Sequence, residues 1–153
     1  LNKVIFGSVA STALEMAKVP VLVVPPELSF RPIKKIIVAM DDKEVSSEAL
    51  SPLEKLAVQY EAKVTILNVN TNPKNETEQR PNVHIEGIET SFHEVPMINN
   101  INDTINNYID KEGCDLLCMI RREKSFFQSI FQKSITKAQV FSNKVPLLVL
   151  PEE

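Results

Sequence analysis

Short apolar runs closed by proline or turn residues alternate along this chain with stretches whose apolar positions recur every three or four residues. The first pattern reads as strands buried on both faces of a parallel sheet, the second as amphipathic helices. Val21 to Val24, Lys34 to Met40, Val64 to Val69, Asp115 to Ile120 and Leu147 to Leu150 are strands on this rule. Val9, Ala13, Met16 and Ala17 mark a helix from Ser8 to near Lys18. Ala49, Leu50, Leu53, Leu56, Ala57 and Tyr60 share a face and place a second helix from about Ser46, with a bend at Pro52. The rival start, with Ser51 as cap and Pro52 as first helical residue, discards the burial of Ala49 and Leu50. Ile98, Ile101, Ile105, Tyr108 and Ile109 predict a helix over Met97 to Lys111, with Gly113 as the left-handed residue after its end. A last helix is expected over Ser134 to Asn143. Of two weakly alternating stretches, Ser91 to Val95 is preferred over Val83 to Ile88 as an edge strand. Asn70 to Asn82 is polar, without periodicity, and reads as a loop.

The chain repeats itself. Ser8 to Pro25 lies over Ser134 to Pro151 without a gap, and Ser8/Ser134, Lys18/Lys144, Val19/Val145, Pro20/Pro146, Leu22/Leu148, Val23/Val149 and Pro25/Pro151 are identical. Residues 1–25 therefore read as the terminal helix and strand left from a preceding domain, 26–32 as a proline-bracketed linker, and 33–151 as a complete domain. The fold class this gives is α/β: a three-layer α/β/α sandwich, with an extra N-terminal helix-strand segment. Opening on Leu1, midway through a repeated unit, fits a piece of a larger protein.

Composition narrows the function. A content of 43% hydrophobic and 24% charged residues is that of an ordinary soluble globule, and a formal charge of -3 offers no basic excess for nucleic acid. No apolar stretch approaches the length of a membrane span. Cys114 and Cys118, with His84 and His93 distant in sequence, read as buried free thiols rather than a zinc site, which suits a reducing cytoplasm. Paired nucleophile and base, spaced carboxylates and metal clusters are all missing from the pattern, so no catalytic residues are assigned. Asp41 and Asp42 follow the first strand of the complete domain, where open parallel sheets place ligands.

The run Val38-Ala-Met-Asp41, the strand Asp115-Leu-Leu-Cys-Met-Ile and the serine-led segment before Val145-Pro-Leu-Leu-Val-Leu together resemble the universal stress protein family, in the tandem two-domain form found in Bacteroidetes-like bacteria. The resemblance implies an open parallel five-stranded sheet of order 3-2-1-4-5. Some members bind ATP through an aspartate after the first strand and a spaced glycine signature before a Ser or Thr. Anchored on Ser134, the signature's glycine positions fall on Ile120, Glu123 and Lys133, none of them glycine. Each adds a side chain where backbone amides would close on phosphate, and Glu123 adds negative charge. Asp41 alone remains.

These readings imply a non-enzymatic, stress-response-associated domain without ATP or other cofactor, acting through domain pairing or dimerisation. The alternative is a small-ligand or anion sensor whose cleft gathers Asp41, Asn68, Arg121, Lys133 and Ser134, within a basic cluster that also holds Arg122, Lys124 and Lys137. The resemblance further implies that fifth strands of paired domains meet antiparallel. Val21 and Val23 are thus expected against Leu147 and Val149, in the same chain or a symmetry mate. Phe127 and Phe131, four apart among Phe126 and Ile130, are a second candidate contact surface.

Overall fold

A computed structural model describes residues 3–5, 8–26, 28–72, 83–122, 139–142 and 145–152. In chain order the elements are β1 (Lys3–Ile5), α1 (Ser8–Met16), β2 (Val21–Val23), β3 (Lys35–Met40), α2 (Ser47–Tyr60) and β4 (Lys63–Asn70). They continue with β5 (Thr90–Pro96), α3 (Ile101–Glu112), β6 (Leu116–Arg121), β7 (Gln139–Ser142) and β8 (Leu147–Pro151).

The sheet corrects the expected topology. In place of an open parallel five-stranded sheet of order 3-2-1-4-5, the chain forms a mixed six-stranded sheet of order β2-β8-β6-β3-β4-β5. The sixth strand is β2, which adds antiparallel to β8 with Val21 opposite Val149, Leu22 opposite Leu148 and Val23 opposite Leu147. An edge as apolar as β8 is stabilised by being paired, and β2 supplies the missing backbone partners. A second correction falls on the last expected helix: Gln139–Ser142 form a strand that pairs antiparallel with Lys3–Ile5 in a separate two-stranded sheet. Val140 and Phe141 favour a strand, and a local helical pattern cannot foresee a partner from the far end of the sequence. Residues 134–138 and 143 lie outside the described residues, as does most of the loop expected over Asn70 to Asn82.

Alternation along the strands divides the core into two layers. Ile37, Ala39, Leu67, Leu117, Met119, Leu147 and Val149 face one side, where Leu14 of α1 and Ile105 and Ile109 of α3 cover them. Ile36, Val38, Met40, Val64, Ile66, Cys118, Leu148 and Leu150 face the other, under Leu50, Leu53 and Ala57 of α2 and under Ile85. Burial of β3 on both faces is what its unbroken apolar run requires. Val83 to Ile88 forms no strand, yet Ile85 is buried as a plug on the α2 face.

Local chemistry sets the helix boundaries. Ser46 caps α2, its hydroxyl accepting from the Ala49 amide at 3.2 Å, so the helix keeps Leu50 on its buried face and carries Pro52 inside. Pro52 donates nothing to the carbonyl of Glu48. The third helix starts later than its apolar pattern suggests. Asn100 caps it by accepting from the Asp103 amide at 2.8 Å, and the Ile98 amide donates to Thr104 Oγ1 at 2.8 Å. Those bonds hold Met97 to Asn100 in a turn instead of a first helical turn. Gly113 has φ 75° but ψ 152°, outside the left-handed helical basin its position suggested and open to glycine almost alone.

Candidate functional site

The carboxyl ends of β3 and β6 form the switch point of the sheet, since β4 and β5 extend to one side and β8 and β2 to the other. Arg121 ends β6 and Arg122 follows it, and their side chains go to different partners. Arg121 turns towards α1. Its guanidinium donates to the carbonyls of Glu15, at 2.8 Å, and Ala17, where the helix leaves carbonyls without amide partners.

Arg122 turns towards Asp41 at the carboxyl end of β3. Its Nη2 donates to Asp41 Oδ1 at 2.8 Å and to the Lys43 carbonyl at 3.1 Å. Its Nη1 donates to Glu152 Oε2 at 2.9 Å and to the Glu44 carbonyl at 2.7 Å. The side chains of Arg122 and Glu152 are each 14% exposed and that of Asp41 18%, so the three charges are largely withdrawn from water and one cation is shared between two carboxylates. Glu152 Oε1 also accepts from the Ser46 amide at 2.6 Å, which ties the residue after β8 to the start of α2. Asp41 further accepts from the Lys43 amide at 3.2 Å.

Of the residues expected to form a ligand cleft, the structure places Asp41 in the crevice and buries Asn68 beside it, with Asn68 Nδ2 donating to the Met40 carbonyl at 3.4 Å. Arg121 is directed away. Lys133 and Ser134 lie outside the described residues, as do Phe127 and Phe131. Sequence reasoning placed Arg122 in a basic cluster but not on Asp41, and missed Glu152 and the Ser46 amide altogether. No local signal could join Ser46 to Glu152, because the contact depends on β8 ending beside β6.

Other reactive groups are built into the scaffold. Burial pushes the Cys114 thiol up to about 12, and burial likewise raises Cys118, so neither offers a thiolate. Tyr108 is raised by burial and then by Glu112, and its hydroxyl pairs with His93 Nδ1. That pair borders a cavity of about 130 Å³ at the amino ends of β3, β4 and β5, where Thr65 and Ser91 hydroxyls meet at 3.1 Å. Among the described residues no three His, Cys, Asp or Glu side chains are placed to hold a metal ion, and no helix is long and apolar enough to cross a membrane.

In fold the chain is similar to solved structures of universal stress proteins. A universal stress protein structure from Archaeoglobus fulgidus superposes with a TM-score of 0.64 at 16% identity, over 94% of this chain and 54% of the archaeal one. One from Burkholderia pseudomallei superposes with a TM-score of 0.51 at 14% identity, over 81% of this chain and 100% of its own. This chain thus spans about half the length of the archaeal structure. No family model and no curated protein matches its sequence. At such identities the likeness is one of fold.

Proposed function

We propose that this chain is a non-enzymatic, stress-response-associated domain that works by pairing with a second domain of its own kind, through the sheet edge that β2 forms beside β8, and does without ATP. The observation carrying this reading is the antiparallel β2, which extends the sheet while Val9, Met16, Leu22 and Val24 remain more than half exposed around it. Apolar side chains grouped at a sheet edge mark a contact surface. Residues 1–25 then take the part of the last helix and strand of a paired domain, 26–32 the linker, and 33–151 the domain proper. The ion pair of Arg122 with Asp41 supports the loss of nucleotide binding, and with Arg121 bound to the end of α1 it weighs against a sensor built on Asp41, Asn68 and Arg121.

Native mass spectrometry of the chain at tens of micromolar should show a homodimer. Replacing Leu22 and Val24 by lysine should weaken association at least about tenfold with the monomer fold retained, because both side chains are over half exposed in the chain itself. A wild-type chain that stays monomeric throughout that concentration range would sink the pairing.

A further inference from the structure

Glu152 sets both oxygens of its carboxylate against donors within the chain. One oxygen takes Arg122 Nη1 at 2.9 Å and the other takes the Ser46 amide at 2.6 Å, so two donors from separate parts of the chain meet the two oxygens of one group. The guanidinium is also held through Nη2 by Asp41 and the Lys43 carbonyl, and through the second hydrogen of Nη1 by the Glu44 carbonyl. Arg122 therefore stays aimed when Glu152 leaves. The Glu152 backbone is fixed by its amide, which donates to the Arg121 carbonyl at 2.9 Å, so only its side chain has to swing away.

We infer that Arg122 and the Ser46 amide form a carboxylate-binding seat that Glu152 fills from within the chain, and that a free monocarboxylate occupies the same seat once Glu152 is displaced. The inference stands apart from the pairing reading and does not rest on it. Charge selects the ligand class. Exchanging one carboxylate for another leaves the balance around Arg122 unchanged, whereas a phosphate dianion would set a further negative charge beside Asp41, whose side chain is only 18% exposed. The seat is filled in cis because the fixed Glu152 backbone holds its carboxylate beside the donors, ahead of any ligand that must be drawn from solution.

Acetate is the probe, with chloride at equal ionic strength as reference and the whole chain as the protein. In Glu152→Ala, about 0.2 M acetate should raise Tm by about 2 °C beyond chloride. The wild type should show no such difference, and adding Arg122→Gln to Glu152→Ala should abolish it. An equal rise in wild type and Glu152→Ala, or one that survives loss of Arg122, overturns the inference. Should Glu152→Ala not fold, Glu152→Gln keeps the bulk of the side chain. There the Arg122 guanidinium ¹⁵N resonances should half-saturate with acetate at a concentration at least about tenfold lower than in wild type, and identical titrations would overturn it.

Discussion

Leu14→Ala should destabilise the domain by about 2 to 5 kcal/mol, although residue 14 belongs to a helix that the sequence assigns to a different domain. Leu14 is fully buried and packs into the same layer as Val145, Leu147 and Val149 and the α3 residues Ile105 and Ile109. Truncation removes its methyl groups from that core and leaves a cavity that strands fixed by backbone pairing can close only in part. Denaturant unfolding gives the number directly. A loss below about 0.5 kcal/mol, the size of an ordinary surface substitution, would mean that α1 does not pack on this sheet in solution.

Arg122→Ala should cost about 2 to 4 kcal/mol, with Tm falling by roughly 2 to 4 °C for each kcal/mol. The substitution leaves two carboxylates, Asp41 and Glu152, largely buried without their shared cation, and leaves the Lys43 and Glu44 carbonyls without its donors. The value lies below that of a wholly enclosed pair, because the three side chains keep 14–18% of their exposure and water recovers part of the loss. Arg122→Lys should restore less than half, since one ammonium cannot span the two carboxylates and two carbonyls that the planar guanidinium reaches. Thermal and urea unfolding of the two variants check both values, and a neutral Arg122→Ala would mean that the crevice is open to solvent.

The parts of the fold that were legible in the sequence are those fixed by local periodicity. The β3 run from Ile36 to Met40 could only be a strand buried on both faces, and Leu50, Leu53 and Ala57 could share a face only in a helix beginning near Ser46. The choice of Ser91 to Val95 over Val83 to Ile88 agrees with β5. What escaped was decided by partners distant in sequence. Nothing within Ser134 to Asn143 announces the β1 strand that draws 139–142 out of a helix, and nothing around Met97 shows that Thr104 will hold the preceding turn outside α3. The antiparallel meeting of β2 with β8 was expected from the family resemblance, and it is what makes the sheet six-stranded and mixed. The crevice was legible only in part. Asp41 was legible because its place after β3 is a general feature of such sheets, whereas Arg122, Glu152 and Ser46 meet only through the ends of three separate elements.

The proposal that the chain does without ATP is tested most directly by titrating it with ATP in a calorimeter while following the Arg122 guanidinium by NMR. The account predicts no heat of binding below about millimolar ATP, the range in which weak charge pairing alone would hold it, and an unmoved guanidinium. Micromolar binding accompanied by release of Arg122 from Asp41 and Glu152 would contradict it.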